Sequence, residues 1–232
     1  MKVGSYSMMG TKHKVNQDSF FAKSAGKKCL CFVADGMGGH NAGDVASRAA
    51  VEIIGAVKNY DKKNILKAVE KANETIKSMS ECDTSLEGMG TTLVLAAING
   101  EEGLIINIGD SRAYGINRTV VKQISTDHSY VQRLLDEGKI TLEEAKNHPM
   151  KNIITMALGV SDTVEPAVRE VTFGKDDILL LCSDGVSGSV SDEEIKTCCY
   201  ENMPEEAAEN LCRLAVKNGA TDDVTAIVIR IN

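Results

Sequence analysis

Four stretches of the chain place apolar residues at helical spacing. Alanine, valine and isoleucine recur at intervals of three and four residues from Ala42 to Val57 and again from Ile65 to Met79, which lays an apolar stripe along each helix. Two further helices are predicted at about 192–199 and 204–217, where Pro204 suits a first helical turn. The pattern therefore predicts one helix pair in each half of the chain.

Short apolar runs rich in β-branched residues, bounded by Gly, Asn or Asp, predict strands. They are Cys29–Ala34, Thr91–Ile98, Gly103–Ile108, Arg112–Ile116, Val120–Ile124, Ala167–Phe173, Ile178–Cys182 and Val224–Ile231. The four from Thr91–Ile98 to Val120–Ile124 follow one another through short connections. They are predicted to be antiparallel neighbours, because a parallel crossover needs about a dozen residues.

Strands that are apolar on both faces must be covered on both faces, and helix pairs come before and after the central strands. This order predicts packed sheets with helices outside. The chain shows no internal repeat and only 3 prolines, so nothing marks a linker. We expect a single domain over residues 1–232, with a polar, partly helical excursion at about 125–156.

The charge balance argues against a nucleic-acid partner. The chain carries 26 Lys and Arg against 33 Asp and Glu, a net charge of −7, which repels a phosphate backbone. No apolar run reaches the ~20 residues that a membrane helix needs, and the first ten residues lack the apolar region of a secretory signal. The 7 cysteines form no metal-type or disulfide pattern and are interpreted as buried thiols. A cytoplasmic location without a membrane partner is expected.

Aspartates fall where apolar runs end. Asp35, Asp110 and Asp184 each lie beside a glycine or directly after one, and Asp222-Asp223 opens the last strand. Several carboxylates that converge repel each other unless a cation neutralises them, and oxygen ligands suit Mg²⁺ or Mn²⁺ better than zinc. Asp-Gly is also a common turn dipeptide, so spacing alone leaves a metal site and a set of turns as alternatives.

A series of eight motifs changes this balance. In chain order they are Asn16-Gln17-Asp18, Asp35-Gly36-Met37-Gly38-Gly39-His40, Gly90-Thr91-Thr92, Gly109-Asp110-Ser111-Arg112-Ala113-Tyr114, Thr126-Asp127-His128-Ser129, Ala157-Leu158-Gly159, Ser183-Asp184-Gly185-Val186 and Asp222-Asp223-Val224-Thr225. The series resembles that of the metal-dependent protein phosphatases of type two C, the PPM family, and in particular their bacterial serine/threonine branch. It runs from near the first residue to near the last.

The resemblance implies an α+β fold, a four-layer αββα sandwich of two antiparallel sheets flanked by helix pairs. It also implies hydrolysis of phosphoserine and phosphothreonine in proteins by a water that bridges two Mn²⁺ or Mg²⁺ ions. The implied cofactors are these two ions, with a third at a weaker site. The implied partners are phosphorylated proteins and a cognate bacterial serine/threonine kinase, and a monomer is expected.

Site residues are carried over from the resemblance one by one. Asp35 would bridge the two ions, the Gly36 carbonyl would ligate one of them, and Asp184 with Asp222 would complete the other. Asp18 would hold the waters on the ions and belongs with the three acidic ligands to the catalytic set. Asp127 with Asp184 would form the third metal site. Asp110 and Asp223 are expected beside the ligands, Asp110 as a buried hydrogen-bonding residue.

Two positions depart from the family pattern. The family usually has an Arg five residues before the first Asp, where it binds the substrate phosphate, and this chain has His13 there. In an extended segment the flanking Lys12 and Lys14 would point away from the side that His13 faces, so His13 is the candidate phosphate-binding residue. Asp223 replaces a frequent Asn, and it either raises metal affinity or sits in a turn.

Three alternatives to a general phosphoprotein phosphatase remain open. One is a relative that dephosphorylates an anti-sigma-factor antagonist. Another is a catalytically weakened regulatory module of the same fold that binds phosphoproteins, which His13 favours slightly. A nuclease with two metal ions could use similar carboxylates, but the net charge of −7 weighs against it.

Overall fold

The computed structural model describes residues 1–38 and 42–231. The strands are β1 (Lys2–Met8), β2 (Asp18–Ala25), β3 (Lys28–Met37), β4 (Gly90–Thr91), β5 (Leu93–Asn99), β6 (Glu102–Ile108), β7 (Arg112–Ile116), β8 (Val121–Gln123), β9 (Ala167–Thr172), β10 (Ile178–Cys182) and β11 (Val224–Arg230). The helices are α1 (Gly43–Gly55), α2 (Lys62–Cys82), α3 (Tyr130–Asp136), α4 (Leu142–Lys146), α5 (Asp184–Ser187), α6 (Asp192–Glu201) and α7 (Pro204–Lys217), with a short 3₁₀ helix at Thr84–Leu86. Gly39 and His40 of the glycine-rich motif lie outside the described residues.

The strands form two antiparallel sheets. The first has the order β1-β11-β10-β7-β8, and the second has the order β2-β3-β5-β6-β9 with β4 paired to β3. Strands β10 and β11 are neighbours at the centre of the first sheet, and β3 lies between β2 and β5 in the second. Asp35, Asp184 and Asp222 thus sit on or next to these strands, and Asp18 begins the edge strand β2 beside β3.

Side chains alternate between two apolar environments along each central strand. On β3, Leu30 and Phe32 pack under the helices α1 and α2, whereas Cys31 and Val33 face the other sheet. The strand β10 alternates in the same way between the helices α6 and α7 and the inner layer. Period-two alternation with both faces apolar requires cover on both faces. The result is the predicted four-layer αββα sandwich, which is confirmed.

The helices carry the apolar stripes that their spacing predicts. Ile54 of α1 and Ile65 of α2 are fully buried against the second sheet, and Leu211 of α7 is fully buried against the first. Helix α6 begins with a capping box in which Ser191 and Glu194 satisfy each other's backbone amides. Capping and burial together explain why the predicted helix bounds agree closely with the observed ones.

Two strands escape the sequence pattern. β1 and β2 lie at the edges of the two sheets, and their sequences mix Lys, Ser and Gly with apolar residues. Edge strands keep one side in solvent, so the apolar run that marks a buried strand is missing. The segment that joins them, residues 9–17, contacts Asp222 and Asp223.

One predicted strand pairing is wrong. The connection from β6 to β7 is short, but β6 belongs to the second sheet and β7 to the first. Gly109 turns the chain out of its sheet at φ +91, and a Cβ there would come within 2.6 Å of Thr92 Cγ2. A few residues are enough to cross between sheets packed about 10 Å apart. This crossing leaves Asp110 at the end of the sandwich.

The helices α3 and α4 both lie within residues 125–156, where the sequence predicts a polar, partly helical excursion. Of the cysteines, Cys29, Cys31, Cys182, Cys199 and Cys212 are buried as predicted, but Cys82 is exposed and Cys198 is half-buried. Cys82 is exposed because it ends α2 beyond the last buried turn.

None of the helices in the described part of the chain is both long enough and apolar enough to span a membrane.

Candidate active site

Asp18 and Asp35 face each other across the pair β2–β3, where they are register partners. The main chain of Asp35 is held from the other side by two threonines. Thr92 donates its amide to the Asp35 carbonyl at 2.9 Å, and Thr91 donates its hydroxyl to the same carbonyl at 3.0 Å. The Asp35 amide in turn donates to Thr92 Oγ1 at 3.0 Å. These contacts fix the carboxylate on a rigid strand.

The first sheet supplies Asp184 and Asp222 at the same end of the sandwich. Asp184 opens α5 directly after β10, and Asp222 lies two residues before β11. The two strands are antiparallel neighbours, with Cys182 opposite Ala226, so the end of one meets the start of the other. The four aspartates of the predicted catalytic set therefore come from both sheets to one place.

Asp18 also ties the two sheets together. Its Oδ2 accepts hydrogen bonds from Ser183 Oγ at 2.8 Å and from Thr225 Oγ1 at 2.6 Å. Ser7 Oγ lies 2.8 Å from Thr225 Oγ1 and extends the chain of hydroxyls to β1. The other carboxylate oxygen of Asp18, Oδ1, is buried without a hydrogen-bond partner among the described residues. Ser183 and Thr225 belong to the quoted motifs, but their role as donors to Asp18 was not predicted.

The carboxylates disfavour each other's ionisation. Burial and then the charges of Asp18 and Asp184 raise the pKa of Asp35 well above its usual range. Burial raises the pKa of Asp18 to about 7, even though the two hydroxyl donors oppose the shift. Burial and Asp222 raise the pKa of Asp184. The site gathers more negative charge than the surrounding residues neutralise.

Gly36 brings the backbone close to the aspartates. Its amide donates to the Gln17 carbonyl at 3.1 Å, and a Cβ at this position would lie 2.1 Å from the Gly43 carbonyl oxygen. No larger residue fits without moving the start of α1. The glycine thus allows the main chain directly after Asp35 to pack closely against the start of α1 and Gln17.

The donor set fits hard divalent cations. Carboxylate and carbonyl oxygens are the ligands that Mg²⁺ and Mn²⁺ prefer, and Asp18 Oδ1 is a buried acceptor without a donor. In the described residues, one ligand atom each from His13, Asp222 and Asp223 lie within 4.8 Å of one another. The predicted trio of Asp35, Asp184 and Asp222 is more widely spaced than that.

The segment between β1 and β2 places Lys12 differently from the sequence expectation. Residues 9–17 form no strand, so the rule that neighbours point to opposite sides does not apply. Lys12 Nζ donates to Asp222 Oδ2 at 2.8 Å, and this hydrogen bond is the main reason why the pKa of Lys12 is raised. The expectation that Lys12 points away from the side that His13 faces is wrong.

His13 lies on the same side, but its Nδ1 faces carboxylates. That atom is 3.5 Å from Asp222 Oδ1 and 3.6 Å from Asp223 Oδ2, and it is buried without a hydrogen-bond partner in the described structure. Only the remaining ring nitrogen is left to meet a substrate. A single donor cannot reproduce the two parallel hydrogen bonds of an arginine fork.

Asp223 holds residues 9–17 in place through hydrogen bonds to their backbone. It is 3% exposed, and its two oxygens accept hydrogen bonds from the amides of Gly10 at 2.8 Å and Gln17 at 2.7 Å. These amides lie at the two ends of the segment, so one carboxylate closes the loop.

Asp127 has protein partners on both oxygens. Arg112 donates to Oδ2 from Nε at 2.9 Å and from Nη2 at 2.7 Å, and Gln123 donates to Oδ1 at 2.7 Å. Asp110 differs, because no other described residue donates a hydrogen bond to its carboxylate. Burial, together with the charges of Asp184 and Asp127, raises the pKa of Asp110 to about 7. The role of Asp110 as a buried hydrogen-bonding support of the site stays a prediction.

The fold and the acidic site together define a class of protein. The sequence profile described as Protein phosphatase 2C matches residues 9–219 of this chain. The chain belongs to the protein phosphatase 2C family, and the prediction from the eight motifs is confirmed.

Curated and solved relatives agree with this assignment. The chain is 38% identical over 216 residues to the serine/threonine phosphatase stp of Listeria innocua, covering 89% of this chain and 86% of that protein. The crystal structure of the Mycobacterium tuberculosis serine/threonine phosphatase PstP superimposes with a TM-score of 0.90 at 36% identity, covering 98% of this chain and 97% of the other. A structure of the PstP catalytic domain in complex with two manganese ions gives a TM-score of 0.87 at 34% identity, covering 100% and 98%.

Proposed function

We propose that this chain hydrolyses phosphoserine and phosphothreonine monoesters in proteins. It is a metal-dependent protein serine/threonine phosphatase. The observation that carries this conclusion is the convergence of Asp18, Asp35, Asp184 and Asp222 from two sheets at one end of the sandwich. The similarity to serine/threonine phosphatases, one of them bound to two manganese ions, supports it.

Each acidic residue has a proposed role. Asp35, Asp184, Asp222 and the Gly36 carbonyl would hold two Mn²⁺ or Mg²⁺ ions, because carboxylate and carbonyl oxygens are the ligands that these cations prefer. The ions supply Lewis-acid activation of a water for attack on phosphorus. Asp18, whose Oδ1 is buried without a described partner, orients that water. No side chain is needed as a covalent nucleophile.

Asp127 and Asp184 are the proposed ligands of a third, weaker cation site. Both Asp127 oxygens already accept hydrogen bonds from Arg112 or Gln123. A third ion would have to share this carboxylate with a guanidinium charge, which lowers its affinity. We therefore place full occupancy of this site at higher metal concentration than that of the other two.

His13 is the proposed phosphate-binding residue. Because its Nδ1 faces Asp222 and Asp223, it offers the substrate at most one hydrogen bond. His13→Arg should therefore lower KM for a phosphothreonine peptide, whereas His13→Ala should raise it, with smaller changes in kcat. Equal KM values in all three proteins would remove His13 from the phosphate site.

The proposal extends to the setting in which the enzyme works. We propose a single catalytic domain over residues 1–232, a monomer in the cytoplasm, and signalling in opposition to a bacterial serine/threonine kinase. The 7 free cysteines fit a reducing compartment. The net charge of −7 disfavours nucleic acid and anionic membranes as partners. Fractionation of cells and sedimentation of the purified chain test location and oligomeric state.

The test of the activity is hydrolysis of p-nitrophenyl phosphate and of a phosphothreonine peptide with Mn²⁺, with Mg²⁺ and with EDTA. Asp184→Asn should abolish turnover that depends on metal. Asp192→Asn makes the same change at an exposed position at the start of α6 and should leave turnover unchanged. Turnover that survives EDTA would contradict the metal-dependent mechanism.

A folded protein that binds Mn²⁺ and phosphopeptide without turnover would instead support the regulatory module. His13 in place of the usual arginine is the feature that favours this second candidate. Turnover restricted to a phosphorylated anti-sigma-factor antagonist would support the specialised phosphatase.

A further inference from the structure

Lys12 is bound to the acidic site through both its main chain and its side chain. Its amide donates to the Thr221 carbonyl at 3.0 Å, and its ammonium donates to Asp222 Oδ2 at 2.8 Å. The Asp223 clamp on Gly10 and Gln17 holds the segment that carries it. The ammonium is therefore kept within a few ångströms of a proposed metal ligand.

Lys12 also supplies a positive charge to the proposed metal ligands, through its ion pair with Asp222. Among the ion pairs of residues 1–38 and 42–231, no other Lys or Arg bonds to Asp35, Asp184 or Asp222. Arg112, the next cation at this end of the sandwich, is committed to Asp127. Lys14, two residues further along the chain, is exposed and forms no ion pair within the described residues.

The Lys12 side chain can leave without disturbing the fold. It is 58% exposed, and a lysine carries its charge on a flexible four-carbon stem with three rotatable donors. The segment beneath it is held by backbone contacts to Thr221 and Asp223 that do not involve the ammonium. The ammonium can thus move into solvent while its Cα stays in place.

We propose that Lys12 is a tethered counter-cation that competes with divalent metal for Asp222 and so sets the metal affinity of the site. The inference rests on the proposed role of Asp222 as a metal ligand. A divalent ion that binds Asp222 through Oδ2 must displace the ammonium, and one that binds through Oδ1 must tolerate its positive charge nearby. Both effects weaken metal binding, and neither requires contact between Lys12 and the substrate.

The test is titration of the metal-stripped full-length chain with Mn²⁺ alone, followed by calorimetry at one fixed pH. Lys12→Gln should bind Mn²⁺ about 10-fold more tightly at one site, because a unit charge a few ångströms from a dication is removed. Lys14→Gln makes the same charge change next to the site and should stay within about 2-fold of the unaltered chain. Lys12→Arg keeps the charge and should restore weak binding.

Metal-free stability provides a second readout. Without its counter-cation the acidic group repels itself more strongly, so Lys12→Gln should unfold at a lower temperature in EDTA than Lys14→Gln does. In Mn²⁺ this difference should disappear. Equal Mn²⁺ affinity and equal metal-free unfolding temperature in the two glutamine variants would overturn the proposal.

Asp222→Asn separates this inference from the function on which it rests. If Asp222→Asn binds Mn²⁺ with unchanged stoichiometry and affinity, the ligand assignment itself fails. If Asp222→Asn loses a site while Lys12→Gln matches Lys14→Gln, only the role of Lys12 fails. Circular dichroism of each variant identifies any that does not fold, and if Lys12→Gln does not fold, Lys12→Met takes its place against Lys14→Met in both measurements.

Discussion

The inner apolar layer and the acidic end of the sandwich are built by the same strands but obey opposite rules. Leu181 on β10 and Ile227 on β11 pair with each other in register, and both are fully buried between the sheets. Asp184 follows the end of β10 and Asp222 precedes the start of β11, so both lie a few residues from this pair. Burial stabilises the first pair, whereas it disfavours the charged form of Asp184.

This difference shows where the stability of the site comes from. The aspartates do not hold themselves in place, since each raises the pKa of another and opposes its ionisation. Packing in the inner layer holds the strands, and the strands hold the charges. Removing apolar bulk from the inner layer should therefore lower the free energy of unfolding, whereas removing the charge of a buried aspartate that has no cation partner should raise it.

The largest loss of stability is expected from the inner layer. Leu181→Ala should lower the free energy of unfolding by about 2–5 kcal/mol, because it leaves a cavity between two rigid sheets. Leu142 is 73% exposed on α4, so Leu142→Ala is the matched control and should change stability by less than about 0.5 kcal/mol. Denaturant unfolding of both variants measures the contrast, and equal losses would contradict the layered core.

A smaller loss of stability is expected from Arg112, the cation that pairs with Asp127 at the acidic end. Arg112→Gln should lower the free energy of unfolding by about 1–3 kcal/mol, because Oδ2 of Asp127, a side chain only 5% exposed, loses both of its arginine donors. Arg48→Gln breaks a pair with Asp44 at an arginine that is 60% exposed, and it should cost about 0–1 kcal/mol. If the two variants unfold alike, the Arg112–Asp127 pair does not stabilise this end.

In EDTA, Asp18→Asn should raise the free energy of unfolding instead of lowering it. The pKa of Asp18 is about 7 in the folded chain and about 3.9 when unfolded, so the stability that Asp18 contributes is present at low pH and is lost as pH rises towards 7. Asp18→Asn removes this loss. As the pH rises from 5 to 7.5, the free energy of unfolding of the variant should increase by on the order of 2 kcal/mol relative to that of the unaltered chain.

Denaturant unfolding at several pH values in EDTA measures this gain. Asp192→Asn, at an exposed position, should follow the unaltered chain at every pH and serves as the control. A difference between Asp18→Asn and the unaltered chain that does not change with pH would show that Asp18 ionises in the folded protein as it does in the unfolded one.

Much of the framework was predictable because its signals are local. The spacing of apolar residues placed α1, α2, α6 and α7, and the strands β7 and β10 have the predicted bounds. The edge strands β1 and β2 were missed because one side of each lies in solvent and dilutes the apolar pattern.

The contacts within the site were less predictable, because they join residues far apart in the chain. Ser183 and Thr225 reach Asp18 across sequence separations of 165 and 207 residues. The direction of Lys12 depends on a loop that Asp223 closes from the other end of the chain. The turn at Gly109 sends β7 to the opposite sheet, and loop length alone could not distinguish this crossing from a hairpin.

The smallest effect is expected at Asp223, a buried carboxylate used for geometry. Asn has one acceptor oxygen where Asp has two, so Asp223→Asn should release the amide of either Gly10 or Gln17. We expect a loss of about 1 kcal/mol in the free energy of unfolding and faster hydrogen exchange at that amide, with the inner layer unchanged. Wild-type protection of both amides would mean that the loop does not need the second oxygen. Asp223→Asn removes a negative charge as well as an acceptor oxygen. Hydrogen exchange at the amides of Gly10 and Gln17 reports the lost hydrogen bond, whereas the free energy of unfolding also includes the relief of repulsion between aspartates.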